Sequence, residues 1–361
     1  MIAPGAPLTI ASSQGDYVVQ PFADVASLAA EVAAIPNAFV IVDERIETLY
    51  GDAFAAFARV PRHVMPATET EKTLHGVERA LLALQAARGD KRTTVVAIGG
   101  GIVQDVATLS AHLWYRGVPY VYAPTTLLAM ADSCIGAKCA VNLGAFKNQL
   151  GTFQSPRRVL VCERFVDTLA ADDVRSGYGE IVKLAIVDSA AAFAKLRDDV
   201  GAGGFGGPAL GAHVRASLET KRRIIEIDEH ERDLRRILNY GHTFGHALEA
   251  VTENAVPHGL AVAWGLDAAN FTAWRLGLLD RAVYDGVHAF VARHFAFRPN
   301  RAYDAAAIVT AMRRDKKAAA GSVALILPHA LGDVRVVPTP LDATLERIVA
   351  DYVAAEDVFA A

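Results

Sequence analysis

Three histidines carry the first chemical signal in this chain: His242, His246 and His258, in the run from Arg235 to His258, RRILNYGHTFGHALEAVTENAVPH. His242 and His246 are four apart in a segment of helical spacing, which puts both imidazoles on one face, one turn apart. His258 follows a proline and opens the next apolar run, so it belongs at a helix start. Two helical histidines and a more distant third ligand can hold a divalent metal. Histidines capping and lining a helix in a polar pocket would show the same pattern, and these residues alone leave both readings open. Arg235 and Asn239 precede His242 by seven and three residues, so all three can share one helix face. Glu180 and Lys183 are three apart at helical period, which by itself describes an exposed ion pair.

A second concentration of polar chemistry lies at Asp132, Lys138, Asn142, Lys147 and Asn148, punctuated by Gly136, Gly144 and Gly151. Two lysines and two asparagines suit an anionic, hydroxyl-rich ligand. A solvated loop fits poorly, because Leu127–Met130 and Cys139–Val141 are interleaved with them.

The elements that must position these residues fall into two groups. Ala38–Val42 reads as a buried strand ending at Asp43, where an acid can hold ribose hydroxyls or simply make a turn. Glu69–Lys72 precedes a helical stretch around Val77–Arg88. Thr94–Ile98 reads as a second buried strand, followed by Gly99-Gly100-Gly101 and the helical Ile102-Val-Gln-Asp105. Strand, glycines and helix let backbone N–H groups approach a pyrophosphate. The run is neither GxGxxG nor a Walker loop, and a tight βα turn remains open. Val118–Pro124 is a short strand before Thr125-Thr126, and Arg158–Cys162 is the last strand of the group. Helical periodicity then dominates, so the boundary is set between 164 and 165, giving units 1–164 and 165–361. Gly201–Pro208 reads as a flexible connection. Lys221-Arg-Arg223 begins an amphipathic helix toward Glu231, and Ser322–Pro328 is a hairpin strand.

Composition agrees with two cores: 361 residues, 52% hydrophobic and 21% charged. A net charge of −4 gives no field to attract nucleic acid or an anionic membrane. The three cysteines, Cys134, Cys139 and Cys162, form no CxxC and no even framework. No Lys or Arg precedes Arg45, so no signal or transit peptide is expected, and no apolar run is long enough to span a bilayer. The expectation is a cytoplasmic protein.

Taken in order, Gly99-Gly-Gly-Ile-Val-Gln-Asp105, Tyr115-Arg116-Gly, Pro124-Thr-Thr, Asp132-Ser-Cys-Ile-Gly-Ala-Lys138, Lys147-Asn148-Gln-Leu-Gly-Thr, Gly179-Glu180-Ile-Val-Lys183, Leu238-Asn-Tyr-Gly-His-Thr-Phe-Gly-His246, His258-Gly and Asp315-Lys-Lys317 resemble the dehydroquinate synthase family of sugar phosphate cyclases. The likeness runs from about Asp43 to Val337. It implies an α/β fold, with an N-terminal Rossmann-like domain for NAD and a mainly α-helical C-terminal domain for a divalent metal, zinc or cobalt, and a site in the cleft between them.

By motif position, Glu180, His242 and His258 look like metal ligands. Asp43, Glu69, Lys72, Gly100, Gly101, Ile102, Asp105, Thr125, Thr126, Lys138, Lys147, Phe165 and Thr168 look like NAD contacts. The substrate shell implied is Arg116, Asp132, Lys138, Lys147, Asn148, Lys183, Lys221, Arg235, Asn239, His246 and one of Lys316 and Lys317. Arg116 would reach the phosphate across a homodimer interface. The family's reaction oxidises a hydroxyl transiently with NAD, eliminates phosphate, returns the hydride, opens the ring and closes a carbocycle by an aldol step.

Arg235, Lys221 and Asn239 match the shell that holds the carboxylate of 3-deoxy-D-arabino-heptulosonate 7-phosphate, and His246 is kept where valiolone-type cyclases alter the segment; by this resemblance both features favour 3-dehydroquinate as product. The departures point elsewhere. Ala137 stands where dehydroquinate synthases usually carry glycine, and Gln104 replaces a small residue. Val174-Arg-Ser-Gly and Lys147-Asn-Gln-Leu-Gly-Thr look more like the cyclases of secondary metabolism, which form deoxy-scyllo-inosose, valiolone or amino-dehydroquinate. A polyol dehydrogenase of the glycerol dehydrogenase type shares the plan, but a neutral polyol needs no lysine and arginine shell.

Overall fold

The computed structural model describes residues 5–144, 146–297, 303–314, 318–319 and 321–355. It divides into two compact units, Met1–Leu169 and Ala170–Ala361.

The first unit is built on strands β1 (Leu8–Ile10), β2 (Tyr17–Phe22), β3 (Ala38–Asp43), β4 (Arg62–Met65), β5 (Thr94–Gly99), β6 (Tyr120–Pro124), β7 (Lys138–Leu143), β8 (Phe146–Phe153) and β9 (Arg158–Cys162). Its helices are α1 (Val25–Ala33), α2 (Glu44–Tyr50), α3 (Leu74–Ala86) and α4 (Gly101–Leu113). Seven strands form one sheet in the order β1-β2-β9-β6-β5-β3-β4. Only the β1–β2 pair is antiparallel. The apolar runs of β3, β5, β6 and β9 are buried almost throughout, as strands covered on both faces must be.

The chain leaves β3 for β4 on one side and returns to β5 on the other. Strand order therefore reverses between β3 and β5, and open α/β sheets bind ligands at such a switch point, at the carboxyl ends of the strands. Val42 pairs with Ile98, so Asp43 and Gly99 end their strands level with each other. β7 and β8 form a separate antiparallel hairpin. It is made from the polar, Gly-punctuated stretch singled out above.

The second unit holds α5 (Ala171–Asp188), α6 (Ala190–Gly203), α7 (Leu210–Ile225), α8 (His242–Val251), α9 (His258–Arg275), α10 (Arg281–His294), α11 (Ala305–Arg314), β10 (Ala318–Ala319), β11 (Ser322–Ala330), β12 (Asp333–Pro340) and α12 (Ala343–Ala355). β10, β11 and β12 form a three-stranded antiparallel sheet. α9 is buried on every side, without a break from Gly259 to Ala273 and with Asp267 and Asn270 among its buried residues, which marks it as a core helix. α5, α8, α10 and α12 pack against it.

Glycines set how closely these helices cross. A Cβ on Gly179 would collide with the Gly259 carbonyl, and one on Gly259 with the Ser176 carbonyl, so α5 and α9 touch backbone to backbone. Ser176 Oγ accepts the Gly259 N–H at 3.0 Å. α8 meets α9 the same way: a Cβ on Gly245 would lie 2.8 Å from the Ala261 carbonyl oxygen.

Three local expectations change. Arg235 and Asn239 do not share a helix with His242: residues Leu234–Asn239 form a separate 3-10 turn, and the chain breaks at Gly241, whose φ of +79° starts α8. A side chain at Gly241 would meet Leu266 at 2.9 Å, so the break is enforced by packing on α9. Lys221–Arg223 closes α7 rather than opening a helix, which places its positive charge at the favourable end of the helix dipole. Phe205, in the stretch expected to be a flexible connection, stacks on Tyr178 with ring centroids 4.3 Å apart.

Candidate active site

In the second unit the crossings bring Glu180 of α5 against the first residues of α8 and α9. Both histidine Nε2 atoms converge on one carboxylate oxygen: His242 Nε2 lies 3.4 Å and His258 Nε2 3.3 Å from Glu180 Oε1. The ligand atoms of Glu180, His242 and His258 all fall within 4.8 Å of one another. Glu180 is 2% exposed and also pairs with the buried Lys183. That burial removes the surface ion pair as an explanation for the i,i+3 spacing.

The far side of each imidazole is held. His242 Nδ1 donates to the Tyr240 carbonyl at 3.1 Å, and His258 Nδ1 faces Glu249 Oε1 at 3.0 Å. A carbonyl can only accept, so the proton of neutral His242 sits on Nδ1 and its Nε2 lone pair points at Glu180. Burial holds His242 below its ordinary value, against the pull of Glu180, so the ring stays neutral. Burial acts on Glu180 too, yet Lys183 and His242 keep its carboxyl well below the usual range. A nitrogen lone pair facing a carboxylate oxygen is an arrangement that a cation relieves. One carboxylate and two neutral imidazoles are also a common catalytic zinc donor set, so the residues present fit a divalent metal.

The remaining candidates of this unit surround the triad in sequence. The His246 ring is exposed, its centroid 5.3 Å from that of His242 and 5.9 Å from that of His258. Lys221 and Arg235 are buried cations. The Arg235 guanidinium donates to the Glu229 carbonyl, and its backbone N–H donates to Asp228 Oδ2 at 3.0 Å. Asn239 Nδ2 donates to Glu231 Oε1 at 2.7 Å. Glu249 and Glu231 are the acids the sequence reading missed. The signal for Glu249 was its place three residues after His246 on the same helix; for Glu231 it was its place four before Arg235. Lys316 and Lys317 lie outside the described residues.

In the first unit, Gly100 caps α4 with no side chain over its N-terminal turn. A Cβ on Gly100 would press on Thr126 Cγ2 at 2.9 Å, whereas the nearest group to one on Gly101 is Ser133 Oγ at 4.0 Å. The backbone at Gly101 is therefore open to a close ligand. Thr125 donates its N–H to the Gly99 carbonyl at 3.0 Å, and its buried Oγ1 makes no hydrogen bond among the described residues. An uncapped helix start beside a buried, unsatisfied hydroxyl fits a pyrophosphate group. Thr126 Oγ1 accepts from the Ala129 N–H at 3.3 Å. Asp43, level with this turn, caps α2 by accepting the Arg45 N–H at 2.9 Å, and burial raises its carboxyl.

Four more predicted residues share one network. Lys72 Nζ reaches Asp105 Oδ2 and Asn148 Oδ1, each at 2.7 Å. Asn142 joins them, donating to Glu69 Oε1 at 2.7 Å and accepting the Asn148 N–H at 2.9 Å. Burial pushes the Asp105 carboxyl up despite Lys72. Lys138 and Lys147 are exposed on the β7–β8 hairpin, and Asp132 is half-buried in the π-turn Ala129–Ser133. Arg116 is exposed, with a left-handed φ of +70°. Phe165 is sealed in the core, edge-on to Tyr50, and Thr168 Oγ1 is 3.0 Å from Tyr50 Oη. Gln104 clamps the π-turn: its Nε2 donates to the Ser133 carbonyl at 2.8 Å and its Oε1 accepts from Ser133 Oγ at 2.9 Å.

Fold and residues define a class: a parallel α/β unit with a phosphate-type turn, joined to a helical unit with a Glu-His-His cation site. Models of the N-terminal and C-terminal parts of 3-dehydroquinate synthase match residues 62–176 and 177–318, and the chain belongs to that family. Among solved structures, it is similar to a 2-deoxy-scyllo-inosose synthase complexed with carbaglucose-6-phosphate, NAD+ and Co2+, at 23% identity and a TM-score of 0.86, covering 96% of this chain and 99% of that one. It is also similar to the 2-epi-5-epi-valiolone synthase of Streptomyces hygroscopicus with NAD+ and Zn2+ bound, at 28% identity and 0.82, covering 96% and 98%. A probable glycerol dehydrogenase from Sinorhizobium meliloti matches at 16% and 0.63, over 94% of this chain and 96% of that one, a likeness of fold. Among the described residues no helix is long and apolar enough to cross a membrane.

Proposed function

We propose that this protein is a metal-dependent sugar phosphate cyclase that uses NAD transiently and acts on a sugar phosphate without a carboxylate, of the kind represented by the carbaglucose-6-phosphate in the 2-deoxy-scyllo-inosose synthase structure. The observation that carries the metal reading is the convergence of His242 and His258 Nε2 on Glu180 Oε1. The substrate class rests on the 28% identity with the valiolone synthase over 96% of the chain, together with the departures at Gln104 and Ala137. Ala137 keeps a left-handed φ of +63° after Gly136 at +106°. The backbone form that favours glycine in this motif is thus retained with an alanine.

When bound, NAD supplies a reversible hydride sink and the divalent cation supplies Lewis-acid polarisation of substrate oxygens. Glu180, His242 and His258 would hold the cation. Gly100, Gly101 and Thr125 would take the NAD pyrophosphate, with Asp43 near the ribose. Lys183 adds fixed positive charge where an oxyanion develops. Lys138, Lys147 and Asn148 would bind the phosphate that leaves, with Arg116 contributed by the partner copy of a homodimer. His246 can relay a hydroxyl proton.

A second reading is favoured by the burial of Arg235 and Lys221, two cations suited to a substrate carboxylate. The test is inorganic phosphate release by purified protein with Co2+ and catalytic NAD. Glucose 6-phosphate, sedoheptulose 7-phosphate and 3-deoxy-D-arabino-heptulosonate 7-phosphate are offered in parallel. Release from a neutral sugar phosphate, with no net NADH, is the expected result. Release from the heptulosonate alone, with KM raised sharply by Arg235→Ala, would move the protein to dehydroquinate synthesis. Stoichiometric NADH without phosphate would sink both readings.

A further inference from the structure

His258 is the one ligand of the triad whose rear contact is a charged side chain. Its Nδ1 lies 3.0 Å from Glu249 Oε1. The carboxylate is mostly buried, with 13% of its side chain exposed. Glu249 sits on α8, seven residues after His242, whereas His258 opens α9. The contact therefore ties the last turn of α8, the helix that His242 opens, to the first residue of α9. Nothing in the cyclase chemistry proposed above uses this acid.

We propose that Glu249 is a positioning residue: it fixes the Nδ1–H tautomer and ring angle of His258 so that Nε2 is offered to the cation. The inference rests on Glu180, His242 and His258 being the metal ligands. Three features support it. The Glu249 carboxylate accepts only, so it selects a donor at Nδ1 and leaves the lone pair on Nε2. The opposite nitrogen is then 3.3 Å from Glu180 Oε1, on the ligand side. The Glu249 side chain is itself only 13% exposed, so water competes little for the Nδ1 proton. Glu249 is the steering group that the structure provides.

A competing role is also visible. His246, Glu249 and His258 present ligand atoms within 4.8 Å of one another, so Glu249 could itself bind a second cation.

The experiment is Co2+ titration of the full chain by visible absorption, with NAD affinity and thermal unfolding measured alongside. Glu249→Ala, Glu249→Gln and His242→Ala are compared with the parent. The parent is expected to bind one Co2+, and His242→Ala to lose it. Glu249→Ala should weaken Co2+ binding about 10- to 100-fold with NAD affinity unchanged. Glu249→Gln, whose amide oxygen still accepts from Nδ1, should recover most of the loss. A purely structural acid would shift the unfolding temperature and leave the Co2+ affinity of the folded protein alone, and that result overturns the proposal. So does a parent that binds two Co2+ ions, one of them lost in both Glu249 variants, because Glu249 is then a ligand. If His242→Ala binds Co2+ as the parent does, the metal reading itself falls.

Discussion

At the scale of residues, the triad's protonation makes a prediction of its own. Burial pulls His258 down, but its hydrogen bonds to Glu180 and Glu249 and their charges lift it to about 10. Glu180 is held well below the carboxylate range and His242 below its ordinary value. The cation-free site therefore carries one proton, on His258, at neutral pH. A cation must displace it, so metal affinity should rise about tenfold per pH unit below the His258 value. Co2+ dissociation constants at pH 6 and pH 8 should then differ by about 100-fold. A flat profile would show that His258 already carries no proton on Nε2 at pH 6 in the cation-free site. His258→Ala should abolish both Co2+ binding and turnover while NAD binding persists.

At the scale of elements, the site depends on two glycine-lined helix crossings. A methyl at Gly259 would fall on the Ser176 carbonyl, and neither backbone can yield without parting α5 from α9. Gly259→Ala should cost about 3 kcal/mol, the upper end of overpacking, and weaken Co2+ binding by separating Glu180 from His258. Urea unfolding checks the first effect and Co2+ titration the second; a variant as stable as the parent would mean that the crossing is loose. These crossings also mark the limit of what the sequence discloses. The buried strands β3, β5, β6 and β9 stand out as apolar runs, and His258 follows a proline that marks a helix start. The nearness of Glu180 to His258, 78 positions apart by their numbering, follows from backbone contact at Gly179 and Gly259, which no periodicity reports. β2 escaped because its run ends in Gln-Pro-Phe, β4 because Arg62-His63 breaks its apolar character, and the β7–β8 hairpin because its strands are polar and punctuated by glycine. The helix expected through Arg235 and His246 failed at Gly241, where packing against Leu266 overrides local helical spacing.

At the scale of the whole molecule, the second unit closes around a charge buried in its central helix. Asp267 of α9 is fully buried. Its Oδ2 accepts from His288 Nδ1 of α10 at 2.8 Å and from Tyr352 Oη of α12 at 2.9 Å, while Oδ1 has no hydrogen bond among the described residues. Three helices thus meet on one carboxylate, and removing a partner leaves it short of compensation. His288→Ala should cost about 2–3 kcal/mol, less than a fully buried pair because the imidazole is itself partly exposed. The hydrogen bond to Asp267 raises His288 above its ordinary 6.5, against burial. A raised histidine contributes its full stabilisation below its unfolded value and loses it as pH climbs through its folded value. Unfolding free energy of the parent should therefore fall relative to His288→Gln as pH rises above about 6.5. Denaturant titrations of both proteins from pH 5.5 to 9 measure the difference. A gap that widens with pH would mean that the charged form of His288 does not hold Asp267, and that α10 is bound to α9 by apolar packing alone.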